Sequence, residues 1–156
     1  MAGRRDQIKL SDTEQADLLA SERVAIVTSN GHRGWPHSMP MWFTVRKGVV
    51  WVWTYAKSQK VKNLERDPRA TVLVEAGVEY TELRGLMIES EALIHREPDV
   101  IAGFGKDLTV RYSDGIDSVE GEAAAALESQ AAKRVAISFP PARVRSWDHR
   151  KLGRTY

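Results

Sequence analysis

The chain has 156 residues, of which 42% are apolar and 28% charged, and its formal net charge is +2. That is ordinary globular composition, long enough for one domain with a real core. It has no cysteine, which excludes a disulfide framework, a thiol nucleophile and any cysteine-ligated metal or iron–sulfur centre. The charge is too small to imply nucleic-acid binding. No apolar run approaches the ~20 residues of a membrane helix, and the first residues carry no apolar leader core, so a cytoplasmic protein is expected.

In chain order, residues 1–10 are polar and read as a flexible N-terminal arm, with one domain over 11–156. Ser11-Asp12-Thr13-Glu14 has the S-x-x-E form of a capping box and predicts a helix to about Ala20. Residues 23–29 (RVAIVTS) are β-branched and precede Asn30-Gly31, a hairpin turn signal. Residues 36–46 (PHSMPMWFTVR) read as one second strand, in which Pro40 argues for an edge position or a bulge. Lys47-Gly48 turns the chain into residues 49–55 (VVWVWTY), apolar on both faces and therefore deeply placed.

Ser58 is positioned to cap a helix that runs to Asp67 and stops at Pro68, with Val61 and Leu64 as its buried stripe. Residues 69–76 and 86–95 read as the fourth and fifth strands. Residues 97–112 read as a helix broken near Gly103 and Gly105, and residues 122–133 as an Ala-rich helix. Residues 134–139 form the sixth strand, interrupted by Pro140-Pro141 and resumed over 144–147. Hairpin-connected strands with a few short helices predict a mainly β, α+β fold: an antiparallel sheet curled into a barrel. No G-x-G-x-x-G follows a strand, so the common dinucleotide sites are absent.

Chemistry points first to the passage from strand to helix at 54–69. A helix start offers free N–H groups and a positive dipole end, a natural anion site. Lys57, Lys60 and Asn63 recur at intervals of three on roughly one face, while Lys62 and Arg66 lie on another. Lys57 with Lys60 is thus the better pair for one phosphate, although spacing alone favours a solvated basic face. The second region is Ser38-Met39-Pro40-Met41-Trp42, where a proline-bearing strand leaves backbone groups free to face a planar ring, although the pattern alone favours a bulged strand beside the core. His32, His37, His95 and His149 have no metal-ligand spacing, so no metal is expected. His37 is either a half-exposed strand histidine or a proton donor. Glu89 and Glu91 share a strand face and read as solvent or interface residues.

Together the order G-W-P-H-S-M-P-M-W-F and then V-V-W-V-W-T-Y-A-K-S-Q-K-V-K-N-L-E-R-D-P-R-A-T-V-L-V resembles the pyridoxamine 5′-phosphate oxidase-like superfamily of split β-barrel, FMN-binding proteins. The tail Ser146-Trp147-Asp148-His149-Arg150-Lys151-Leu152 is similar to actinobacterial members that use the deazaflavin coenzyme F420. The C-terminal substrate motif of pyridoxamine phosphate oxidase itself is missing, so vitamin B6 oxidation is not favoured. The resemblance implies a homodimer with its cofactor site at the subunit interface. Ser38, Met39, Pro40, Met41 and Trp42 would line the ring. Thr54, Tyr55 and Lys57 would follow the ribityl chain, Lys60, Lys62 and Asn63 would meet the phosphate and tail, and Tyr80 and Trp147 would close the site from the other subunit.

The implied activity is oxidoreduction: hydride transfer from reduced F420 to a small planar unsaturated substrate. The alternatives are an FMN-dependent oxidase or reductase of the same fold, and a non-catalytic cofactor- or haem-binding barrel. No residue is assigned a catalytic role, because hydride transfer is the cofactor's chemistry. The scattered lysines lean towards F420, whose tail spreads more negative charge than one phosphate.

Overall fold

The computed structural model describes residues 3–153. Two helices come first, α1 (Arg4–Gln7) and α2 (Asp12–Ser21); then β1 (Ala25–Asn30), β2 (Pro36–Met41), β3 (Thr44–Arg46) and β4 (Val49–Tyr55). Next are α3 (Gln59–Arg66), β5 (Arg69–Ala76), a 3-10 turn at Tyr80–Glu82, β6 (Arg84–Glu91) and β7 (Leu93–His95). Last come α4 (Pro98–Tyr112), α5 (Gly121–Ala131), β8 (Arg134–Phe139), β9 (Pro141–Asp148) and a 3-10 turn at His149–Leu152.

All strand pairs are antiparallel, in a five-stranded sheet ordered β2-β1-β5-β6-β9 and a four-stranded sheet ordered β3-β4-β8-β7. This is the expected α+β split barrel. The core fills the space between the sheets: Val27, Val72 and Leu86 from one meet Val50, Ile137 and Phe139 from the other, with Val61 and Leu64 of α3 plugging one end. A second, smaller core lies outside the four-stranded sheet, where Phe104 and Leu108 of α4 cover Trp51 and Trp53. Within β4, Val50 and Val52 therefore point into the barrel while the two tryptophans point to the helices.

Three segments differ from the sequence reading in the same way. Residues 36–46 are two strands rather than one, with Trp42-Phe43 as the corner between β2 in one sheet and β3 in the other. Residues 86–95 divide likewise at Ala92, and the strand after Pro140 crosses into the five-stranded sheet instead of resuming β8. At each corner the chain bends from one sheet to the other, as a strand run that switches sheets must. A run of strand-like residues carries no mark of which sheet it joins.

Local signals show directly. Ser11 and Glu14 form both bonds of the capping box. Lys47 (φ 50°) and Gly48 (φ 76°) make a two-residue turn joining Arg46 and Val49, which pair directly. Asn30-Gly31 instead opens a longer loop closed by Gly31 N–H on the Trp35 carbonyl at 3.0 Å. Helix α4 is continuous through Gly103 and Gly105. Gly105 is required there: a Cβ would lie 2.7 Å from the Trp53 ring.

Of the polar arm expected over 1–10, residues 1 and 2 lie outside the described residues. Residues 4–7 form α1, and the segment after it is tied to the body. The Ile8 carbonyl accepts from Asp148 N–H at 2.7 Å, the Leu10 N–H donates to Ser146 Oγ at 3.1 Å, and Leu10 is buried. Among the described residues no helix is long and apolar enough to cross a membrane.

Candidate functional site

Strand β4 ends at Tyr55, and the chain turns through Ser58 N–H on the Tyr55 carbonyl (3.0 Å) into α3. Ser58 has the extended backbone of an N-cap, yet its side chain bonds no N–H of the first turn. Its Oγ lies 3.4 Å from Thr54 Oγ1 instead. The first-turn N–H groups of α3 are thereby left without a side-chain cap. Lys60 folds back over this end, and its ammonium donates to Thr54 Oγ1 at 3.1 Å. Burial pushes the Lys60 pKa downward, because a desolvated ammonium is disfavoured against its neutral form. No carboxylate pairs with it among the described residues. A half-buried cation with one neutral acceptor, at a helix start with uncapped donors, is chemically suited to an anion. Lys57 and Lys62 are exposed and make no ion pair among the described residues.

Asn63 differs from its expected place at the phosphate. It is 0% exposed. Its amide donates to Ser29 Oγ at 3.1 Å and its oxygen accepts from Gln59 at 2.8 Å. It is a strut between α3 and β1, not a surface a ligand meets. The rest of the R-D-P-R segment does similar work. Arg66 bonds the Asn30 carbonyl, and Asp67 accepts from Asn30 Nδ2 (2.8 Å) and from Arg69 (2.7 Å). Those bonds, the Arg69 side chain first, hold the Asp67 carboxyl well below the usual carboxylate range. Much of the pattern that marks this helix is therefore a fastening that seats it on β1.

Strand β2 is an edge strand, paired only with β1, so Pro40 costs the sheet no ladder bond on its open side. Register sorts its side chains into two sets. Ser38 lies opposite Thr28, with their hydroxyls 2.8 Å apart, and Pro40 lies opposite Ile26. His37, Met39 and Met41 lie opposite Ser29, Val27 and Ala25, which are buried, so they share the barrel-facing side. Met41 packs on the core, whereas Met39 is 39% exposed. The His37 Nδ1 is buried without a partner among the described residues. Trp42, 57% exposed, stacks on Tyr112 of α4 with ring centres 4.4 Å apart. The Tyr112 hydroxyl accepts from Phe43 N–H (3.1 Å) and donates to the Arg23 carbonyl (2.6 Å), fixing the corner that presents Trp42.

The structure brings Thr54 and Lys60 together but separates Thr54 from Tyr55. Thr54 is buried on the inner face, and Tyr55 is exposed on the outer face beneath the Arg134 guanidinium, 4.3 Å from its ring. Tyr80 lies in the turn before β6 with its ring against His149 (4.8 Å). Trp147 of β9 covers Gly85, where a Cβ would meet the indole at 2.2 Å. β9 and β2 are opposite edges of one sheet, four strand spacings or ~19 Å apart. Within one chain Trp147 and the Ser38–Trp42 strand therefore lie on opposite edges of the sheet. Arg134 was not legible as a site residue: only the β4–β8 register, which sets it opposite Tyr55, reveals it. Among the described residues no group of three or more His, Asp or Glu side chains is arranged to hold a metal.

Comparison with known proteins agrees with this architecture. The family model of pyridoxamine 5′-phosphate oxidase matches residues 11–148. A conserved hypothetical protein of Mycobacterium tuberculosis, Rv2991, is 37% identical; the match covers 99% of this chain and 95% of that one, with a TM-score of 0.89. At lower identity the fold alone is shared. A structure described as an F420 reductase matches at 21% identity over 82% of this chain and 93% of its own, TM-score 0.62. An FAD-binding protein of Mesorhizobium loti matches at 15% over 88% and 94%, TM-score 0.63. No curated protein matches the chain.

Proposed function

This chain belongs to the pyridoxamine 5′-phosphate oxidase family, and on that premise we propose that it is an oxidoreductase using reduced F420 to reduce a small planar unsaturated substrate. The observation that carries the reading is the Lys60 ammonium, half-buried at the start of α3, with only the Thr54 hydroxyl as acceptor among the described residues. An anionic cofactor supplies the missing counter-charge. Lys57 and Lys62, exposed on either side, suit the spread charge of a phosphodiester and glutamate tail. The orphaned His37 Nδ1 and the exposed Met39 and Trp42 beside the open edge of β2 offer a polar atom and apolar surface to a flat ring.

When bound, the deazaflavin supplies the hydride. The chain supplies the anchor at Lys60, the apolar platform at Met39 and Trp42, and exclusion of water. The site is completed in a homodimer, where a second copy brings Tyr80 and Trp147 across the interface. The separation of β9 from β2 within one chain supports that arrangement. The FAD-binding protein and the F420 reductase that share the fold support a flavin or deazaflavin group of this kind.

FMN is the second reading. It is favoured by the single ammonium gathered at Thr54, which matches one phosphate monoester. Parallel titrations with F420, FMN and haem separate these readings from a carrier barrel, which would bind tightly without turnover. Quenching of oxidised F420 fluorescence is expected on binding and should be abolished in Lys57→Ala/Lys60→Ala. Unchanged binding in that variant would remove the anchor from this segment.

A further inference from the structure

On the outer face of the four-stranded sheet, α4 and α5 enclose a cleft of about 570 Å³ with β4 as its floor. The size is within the ~300–1,000 Å³ of small-molecule sites. Trp42, Trp53, Leu108, Tyr112 and Leu127 give its wall an apolar and aromatic part, beside the polar Thr109, Ser113 and Gln130, and Arg134 lines it as the one charged residue among the described ones. The Arg134 guanidinium lies against two rings, 4.5 Å from the centre of Trp53 and 4.3 Å from that of Tyr55. It has no carboxylate partner among the described residues, and its Nε is buried without any hydrogen bond. Arg111 also has an unpaired Nε, yet its terminal nitrogen donates to the carbonyls of Leu19 and Glu22, and Arg150 pairs with Asp148, whereas the terminal nitrogens of Arg134 have no such acceptor among the described residues. Gly105 keeps the cleft narrow, since its missing Cβ lets α4 lie against Trp53.

We propose that this cleft binds a small planar carboxylic acid, aromatic or unsaturated, with its carboxylate on the terminal nitrogens of Arg134 and its apolar body against Trp53, Leu108 and Leu127. A guanidinium recognises a carboxylate in its own plane through paired hydrogen bonds. Contact with both rings pre-orients Arg134, so little side-chain freedom is lost on binding. No second cation lines the cleft among the described residues, which favours a ligand with a single carboxylate. Trp42 joins the cleft to β2, so a ligand here lies beside the strand assigned to the cofactor ring. The inference does not depend on which cofactor the chain takes.

Calorimetric titration of the full chain with cinnamate, and with cinnamyl alcohol as the neutral isostere, tests the cleft. The wild type should bind cinnamate at one saturable site, at least about tenfold more tightly than the alcohol. Arg134→Gln should remove that preference. Ala126→Phe, placed on the exposed side of α5 where the residue lines the cleft, should weaken both ligands while leaving F420 or FMN binding intact. Failure of the wild type to bind cinnamate, equal binding of acid and alcohol, or undiminished cinnamate binding in Ala126→Phe would each overturn the proposal. Should Arg134→Gln fail to fold, the wild-type ligand ratio and Ala126→Phe decide it. Loss of cofactor binding in the lysine double variant with cinnamate binding retained would show the two sites to be separate.

Discussion

The Lys60 ammonium donates to the Thr54 hydroxyl at 3.1 Å, joining the first turn of α3 to the last inward-facing residue of β4. A half-buried cation with so weak an acceptor is a cost to the free protein that an anion removes. Replacing Lys60 alone with Met should therefore lower cofactor affinity by about 10- to 100-fold, the worth of one charge-assisted hydrogen bond. The fold should be unharmed or slightly more stable. Fluorescence titration paired with a thermal melt reads both effects, and equal affinity for the two proteins would contradict the role given to Lys60.

The pH dependence of the same group has a definite sign. Burial lowers the Lys60 pKa, so the anion-binding ammonium is lost at a lower pH than for an ordinary lysine. Cofactor affinity should fall as pH rises through that depressed value, and Lys60→Arg should hold it level. In the free protein the unfolded chain binds the proton more tightly, so stability rises with pH between the folded and unfolded values. Titrations and melts from neutral to alkaline pH measure the two opposite slopes.

At the other end of α3 the carboxyl of Asp67 lies well below its usual range, chiefly through Arg69 and then Asn30. Its contribution is full above the unfolded aspartate value of about 3.9 and is lost as pH falls towards the folded value. Denaturation midpoints of wild type and Asp67→Asn should therefore converge under acid. A gap of constant size from neutral pH down to pH ~2 would show that Asp67 is not the group responsible.

Asn63 and Ser29 form a buried bond at 3.1 Å. Asn63→Ala leaves Ser29 Oγ and Gln59 short of a partner and should cost about 1–3 kcal/mol. A double-mutant cycle with Ser29→Ala should show coupling between the two positions. Urea unfolding supplies the numbers, and strict additivity would mean that the bond contributes nothing.

Gly105→Ala should destabilise by about 1–3 kcal/mol through overpacking, because its Cβ would stand 2.7 Å from the Trp53 ring and 3.0 Å from Leu127. Gly103→Ala, where the nearest atom is the flexible end of Arg46 at 3.8 Å, should be neutral or stabilising by helix propensity. A thermal shift of the same sign and size in both variants would refute the close approach of α4 to β4.

Short-range chemistry made much of this protein legible in its sequence. The capping box at Ser11 and Glu14, the Lys47-Gly48 turn, the apolar run of β4 and the Val61–Leu64 stripe of α3 each depend on residues a few positions apart, and all form as their patterns require. The helix start after Ser58 was readable for the same reason. Sheet membership was not: β2 and β3, β6 and β7, and β8 and β9 are successive strands that part into different sheets at Trp42-Phe43, Ala92 and Pro140. Each corner is set by packing between distant segments. The same cause turned Asn63 from a surface contact into a buried strut, set Thr54 and Tyr55 on opposite faces, and placed Arg134 over Tyr55. What the sequence by itself determined is the set of local elements and the positive start of α3, because capping, turns and periodicity are energies of near neighbours. What only the tertiary structure decided is which side chains share a face, a cleft or an edge, because those contacts arise from strands that meet across the barrel.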